Sequence, residues 1–209
     1  MDFIWHFAGG IQFPLVVRRR NAHLGNDMAQ QENLKTSAQR NLAIERMIRV
    51  NQAGEFGAKR IYAGQLAVMG DRTPAARSIA HMAEQEERHL NAFDKMMAER
   101  GVRPTALHPI WSAAGFALGA VSAAVSPEAA MACTVAVETE IDRHYSEQLA
   151  EIGYSDPELS AMIADFQADE QAHKASALAE GAERAPAYPL MSALVRMGCR
   201  TAIAVSKHI

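Results

Sequence analysis

Apolar residues return every three or four positions through most of this chain, the period of helices that bury one face. The pattern and its punctuation predict long helices over 38–69, 74–100, 127–152 and 157–180. Three of them open in the same way, with a capping side chain followed by proline at the first helical position: Thr73-Pro74, Ser126-Pro127 and Asp156-Pro157. The first start is placed near Thr36-Ser37, without a proline. Gly70, Gly101 and Gly153 supply the stops. Polar connections at 70–73 and 153–156 are short, so the helices pair as two antiparallel hairpins.

The stretch between the hairpins, 101–126, is long. Two hairpins joined by one long crossover predict an all-α fold class: a ferritin-like four-helix bundle with a long apolar crossover and an extra C-terminal helix. Residues 38–209 form that domain, and 1–37 read as an N-terminal extension. The extension begins "MDFIWHFAGGIQFPLVVRRR", apolar and then basic. Gly-Gly and Pro14 interrupt it, and a secretory signal would carry its charge first. It is either a membrane-touching tail or a poorly ordered one. The crossover holds sixteen residues without charge, Ile110–Val125, short of the ~20 that span a bilayer. It either caps the bundle or lies on a membrane surface. In the last helix Arg196 and Arg200 stand four apart on one face. That face either meets anionic lipid or packs on the bundle with its arginines in water.

The stretch "HMAEQEERHL", residues 81–90, breaks the apolar pattern. Glu86 and His89 fall on the same stripe as Ile79, Met82, Leu90 and Phe93. Glu170 and His173 repeat the Glu-x-x-His spacing on the second helix of the other hairpin. Each first helix carries a glutamate to match, Glu55 and Glu138. Glu86 follows Glu55 by 31 residues and Glu170 follows Glu138 by 32; tyrosines follow at seven, Tyr62 and Tyr145. The hairpins are therefore a duplicated unit, and pseudo-twofold symmetry brings the six polar side chains to one centre. Four buried carboxylates without cations would be very costly. Four Glu and two His arranged in this way form the ligand set of a di-iron or di-manganese bundle. A core of salt bridges without metal would need basic partners on those faces, where Leu90 and Phe93 stand instead. Asp169 is in reach of the opposite histidine, His89, as an outer partner, and Gln85 is its counterpart in the first repeat. Glu84, Glu87, Arg88, Glu140 and Asp142 read as solvated or ion-paired.

Composition narrows the class. The 209 residues are 49% hydrophobic with only 6% aromatic, as helices rich in Ala and Met would be, and the net charge of −3 gives no footprint for nucleic acid. The two cysteines, Cys133 and Cys199, read as buried small hydrophobes of a reducing compartment and are too few for a four-cysteine metal site.

The strings "RMIRVNQAGEFGAKRIYAGQLAVMG", "EQEERHL", "RPTALHPIWSAAGFALGAVSAA", "AMACTVAVETEIDRHYSEQL", "DEQAHKASAL" and "APAYPLMSALVRMGCRTAIAVS" resemble the demethoxyubiquinone hydroxylase family of ubiquinone biosynthesis. The resemblance covers about residues 40–206 and includes segments that a metal site alone does not need. It implies a ferritin-like di-iron monooxygenase that uses O₂ to hydroxylate the ring of a polyprenylated methoxy-methyl-benzoquinol. The implied iron ligands are Glu55, Glu86, His89, Glu138, Glu170 and His173, all present. His144 and Tyr145 match the family's "HY" pair and are expected near the substrate. NADH is the implied electron donor, although the chain has no glycine-rich nucleotide fingerprint.

The resemblance also implies peripheral membrane attachment, on the cytoplasmic face of a bacterial cell membrane or the matrix face of the inner mitochondrial membrane. Further expected partners are a second copy of the chain or a protein that presents lipid. The apolar crossover and the last helix are expected walls of the entrance for the isoprenoid tail. The rival readings are a ferritin-like ferroxidase, which turns over ferrous iron without organic substrate, and a peroxidase, which usually brings a four-cysteine iron site.

Overall fold

The computed structural model describes residues 20–207. The first helix, α1, runs Arg20–Met69, followed by α2 (Pro74–Arg100), α3 (His108–Val125), α4 (Pro127–Ile152), α5 (Pro157–Ala179), a 3-10 turn at Ala182–Arg184 and α6 (Tyr188–Ser206). No strand occurs among the described residues. The chain divides into two compact units, Met1–Ala43 and Ile44–Ile209. Within the described part of the first, the chain is already helical from Arg20, so the start expected near Thr36-Ser37 is helix interior. The Ser37 hydroxyl there donates to the Leu34 carbonyl at 2.9 Å instead of capping. Residues 1–19 of the expected N-terminal extension lie outside the described residues.

The second unit is the bundle. Its helices begin where the caps predict. Thr73 accepts from the Ala76 amide, Ser126 from that of Ala129 and Asp156 from that of Leu159, each at 3.1 Å. Each bond satisfies one amide that the first turn leaves without a partner. Gly101 ends α2 in the left-handed region, at φ 65°.

Two of the bundle's apolar clusters flank its middle. One gathers Tyr62, Ile79, Met82, Met131 and Val135, and the other Ile48, Phe93, Met96, Leu159 and Ile163. Ile79 and Ile163 each precede their Glu-x-x-His by seven residues, yet they belong to opposite clusters. The helices α2 and α5 run antiparallel, so equivalent positions point to opposite ends.

The crossover is itself a helix. Eighteen residues long, α3 has mean hydropathy 1.2 and is only 17% buried, which puts it at the lower limit for a membrane span by length and composition alone. Its buried positions are Gly115, Gly119, Ser122 and Ala123. A Cβ on Gly119 would collide with the Ile61 carbonyl, and one on Gly64 would stand 2.8 Å from the Ala120 amide nitrogen. Helices α1 and α3 thus touch backbone to backbone, which only glycine permits.

Helix α6 packs on α4 by a different means. Glu140 is fully buried, and Arg143, Arg196 and Arg200 close on it at 2.6–2.9 Å. Arg196 and Arg200 are therefore neither free in water nor an open basic face. Their charge is committed to a buried carboxylate, which they hold at a pKa of about 2 against the upward push of burial.

Candidate metal centre

Glu55 on α1, Glu86 and His89 on α2, Glu138 on α4, and Glu170 and His173 on α5 meet between the two apolar clusters, each no more than 2% exposed. Ligand atoms of Glu55, Glu86, His89 and Glu170 lie within 4.8 Å of one another, as do those of Glu86, Glu138, Glu170 and His173. Glu86 and Glu170 belong to both groups. The arrangement is thus two adjoining four-residue pockets that share two carboxylates and keep one glutamate and one histidine each.

Both imidazoles turn the same nitrogen inward. His89 Nδ1 lies 3.2 Å from Glu170 and 3.4 Å from Glu55; His173 Nδ1 lies 3.1 Å from Glu170 and 3.5 Å from Glu86. Their outer nitrogens differ in company. His89 Nε2 is 3.0 Å from Asp169, which Arg88 grips in turn, and His173 Nε2 is 3.1 Å from the amide oxygen of Gln85. Arg88 also pairs with Asp165 at 2.8 Å and lies over the Phe166 ring.

Two tyrosines cross between the repeats. The Tyr62 hydroxyl donates to Glu138, and that of Tyr145 to Glu55. Burial and the nearby carboxylates raise both phenols well above their ordinary range, so they remain neutral donors. Tyr62 was visible as the sequence counterpart of Tyr145, seven residues after a glutamate, but its role as a carboxylate partner needed the antiparallel crossing. His144 lies elsewhere, 5% exposed. It accepts from Gln148 at 2.7 Å, and Gln148 exchanges two 2.8 Å bonds with Asn51. Burial, then Lys207, lowers its pKa to about 4, so it is neutral.

The donor set fits a pair of hard cations. Glu55 Oε2, both oxygens of Glu86, Glu138 Oε2, Glu170 Oε1 and His89 Nδ1 are buried with no hydrogen-bond partner. Orphan acceptors at this density are very costly in a core unless cations satisfy them. Protons otherwise stand in for the positive charge. Burial, then the charge of Glu170, raises Glu86 and Glu138 well above the carboxylate range. His89 rises to about 10, because Glu170 and Glu55 outweigh the lowering by burial.

Next to the centre is an apolar cavity of about 400 Å³. Gly54 and Ala58 flank Glu55 along its wall, and Val137 and Ile141 lie beside Glu138; Trp111, Gly115 and Leu118 of α3 and Leu194, Val195 and Cys199 of α6 complete it. His144 and Tyr145 do not line it. Three of the other acidic residues singled out from the sequence are ion-paired or hydrogen-bonded: Glu87 with Lys59, Glu140 with its arginines, Asp142 with Gln167 and Gln171.

Known proteins share this sequence over most of its length. The chain is 48% identical over 166 residues to 3-demethoxyubiquinol 3-hydroxylase of Rhodospirillum rubrum, covering 79% of this chain and 78% of that one. It is 46% identical over 171 residues to the human NADPH-dependent 3-demethoxyubiquinone 3-hydroxylase, mitochondrial, covering 80% and 78%. It is 39% identical over 182 residues to the 5-demethoxyubiquinone hydroxylase, mitochondrial, of Saccharomyces cerevisiae, covering 79% and 78%. The profile of the family described as ubiquinone biosynthesis protein COQ7 matches residues 42–206, so the chain belongs to that family.

Proposed function

We propose that this protein hydroxylates the ring of demethoxyubiquinol at a pair of irons held by Glu55, Glu86, His89, Glu138, Glu170 and His173. One observation carries the reading: a double carboxylate-histidine pocket adjoins an apolar cavity large enough for a substituted quinol ring. A ferroxidase needs the pocket and has no use for the cavity. When bound, the iron pair supplies the redox chemistry that activates O₂.

The chain's own residues do the rest. Tyr62 and Tyr145 pin Glu138 and Glu55 by their hydroxyls and fix where the private carboxylate of each pocket points. Asp169 and Gln85 orient the two imidazoles from outside. Glycines and short aliphatic residues on the α1 and α4 walls let a flat ring approach without steric hindrance. The cavity carries almost no polar surface, so water is kept from the reacting ring. The isoprenoid tail leaves between α3 and α6, where Ile110, Val121, Val125, Leu190, Leu194 and Met197 are all more than half exposed.

Those side chains support docking on a bilayer without crossing it. Because Glu140 occupies Arg196 and Arg200, docking is driven by apolar burial, and salt reverses little of it. Electrons come from a nicotinamide dinucleotide. The human relative is named NADPH-dependent, so NADPH stands beside NADH as the donor to compare. The test is an assay with a short-tailed demethoxyubiquinol analogue, O₂ and either nucleotide, with mass analysis of the product. A gain of one oxygen atom that Glu170→Ala abolishes supports the proposal. Iron oxidation without a hydroxylated product sinks it. A flotation assay in which the protein ignores liposomes, or floats only at low salt, sinks the docking model.

A further inference from the structure

The two histidines of the centre face very different surroundings beyond their outer nitrogens. Behind His89 the seam between α2 and α5 is shut. Asp169 covers Nε2, Arg88 bridges Asp169 and Asp165, and its guanidinium lies 5.0 Å from the centroid of the Phe166 ring. Arg88 and its two aspartates thus fill that end of the seam with ion pairs. Behind His173 the same seam opens into a groove of about 560 Å³ whose lining mixes polar side chains with Pro74, Met82 and Ala172. Ser78, His81 and Gln85 of α2 face Ser176 and Glu180 of α5 across it, and His173 forms part of its wall.

Two bonds cross the groove. Ser78 donates to Glu180 at 3.3 Å, and Gln85 meets His173 at 3.1 Å. Seven residues separate the two rungs on each helix, so they keep one antiparallel register about 10 Å apart. Between them, His81 and Ser176 line the walls. One side of the groove, from the mouth to His173, therefore offers a series of oxygens and an imidazole nitrogen. Gln85 is itself a hard amide donor and holds His173 by a neutral bond rather than a charged one. The other cavity beside the centre is apolar, and a divalent cation passing through it would be stripped of its hydration with nothing in exchange.

We propose that the groove between α2 and α5 is the port by which a divalent metal ion reaches the centre, and that the ion held by Glu138 and His173 is the readily exchanged one. The proposal rests on the reading of the cluster as a two-iron site. Glu180 at the mouth attracts the ion, and His81 relays it to Gln85 and His173. Arg77, also at the mouth, is the opposing charge; its guanidinium is engaged by the Arg72 carbonyl at 2.9 Å. The ion of the Glu55–His89 pocket sits behind Arg88 and Asp169 and exchanges slowly.

The test is anaerobic loading of the chelator-stripped full chain with ferrous iron. The rate at which iron becomes inaccessible to a ferrous chelator is read separately from the final iron content. Glu180→Gln and His81→Ala are expected to slow loading by up to about 10-fold, and Ser176→Trp, which fills the groove, by more. All three should reach the wild-type content of two irons. Glu99→Gln, on the exposed surface of α2, should load at the wild-type rate. In the loaded wild-type protein, release to the chelator should be biphasic, with half of the iron leaving first. Wild-type loading rates in all three groove variants overturn the port and leave the metal centre standing. A wild-type chain that takes up no iron overturns the two-iron reading and the port with it.

Discussion

The two hairpins carry the same ligand pattern but fasten their outer helices by opposite physics. On the first, α3 lies against α1 at Gly64 and Gly119, where the backbones touch directly. On the second, α6 is clamped to α4 through Glu140 and two arginines of α6, Arg196 and Arg200. The repeat aligns Glu55 with Glu138, and therefore Gly57 with Glu140. The first repeat has no side chain where the second has a buried carboxylate. Gly57 lines the apolar cavity, so its lack of a side chain widens the space proposed for the quinol. The halves agree at the six clustered side chains and differ where each builds its own wall of the cavity.

The sharpest test separates shared from private ligands. Glu86 and Glu170 belong to both pockets, so Glu86→Ala or Glu170→Ala should lose both irons and cut activity by well over the ~100-fold typical of losing an outer partner. Glu55→Ala and Glu138→Ala each remove a ligand from one pocket and should retain close to one iron. Metal analysis of the four variants decides it. A private-ligand variant as empty as a shared-ligand one would show that the two pockets are not separable.

The glycine contact comes next. Gly119→Ala pushes a methyl into the Ile61 carbonyl and should cost about 1–3 kcal/mol, read as a fall of several degrees in the melting temperature. Gly57→Ala provides the contrast. A Cβ there meets nothing within 4 Å, so helix propensity should hold stability level or raise it by up to about 1 kcal/mol. The same methyl narrows the cavity, and the KM for a long-tailed quinol should rise although the fold is intact. Equal melting temperatures for the two variants would mean that the α1–α3 contact is looser than described.

Much of this was legible in the sequence. Caps followed by proline mark local starts, and three of them placed α2, α4 and α5 to within a residue. The six clustered side chains were legible because a duplication spells the same pattern twice. What could not be read depends on distant partners. Thr36-Ser37 looks like a cap, yet the helix runs through it, since a hydroxyl satisfied by a carbonyl one turn back does not break a helix. The crossover reads as either a bundle cap or a membrane-surface segment, and how it packs shows only when its glycines are seen to admit the backbone of α1. Arg196 and Arg200 read as a face for anionic lipid or for water because their partner lies on another helix, 56 and 60 residues away in sequence.

A smaller effect separates the two imidazoles. Asp169 is held below the usual carboxylate range by hydrogen bonds from His89 and Arg88, although burial raises it, so it is a charged partner. Gln85 is a neutral one. Asp169→Asn should weaken iron retention about 10- to 100-fold, chiefly for the Glu55–His89 pocket. Gln85→Ala should cost less and act on the other ion. Chelator competition on each variant measures both, and equal losses would mean that the asymmetry behind the histidines has no energetic weight.

The clamp on α6 should be the mildest to disturb and is set apart by pH. Glu140 is held at about 2 in the fold against an ordinary value of 4.5. A depressed carboxylate stabilises the folded state above its unfolded pKa, and that stability is lost as pH falls through the folded value. The clamp should therefore be at full strength above about pH 4.5 and gone near pH 2. The arginines are 39–53% exposed, so screening reduces its worth to about 1 kcal/mol. Glu140→Gln should flatten the decline in stability between those limits. It should also raise amide exchange in α6 at neutral pH while sparing α3, whose glycine contact does not titrate. If α3 and α6 loosen together in Glu140→Gln, the outer helices form one cooperative wall, and their different attachments do not act independently.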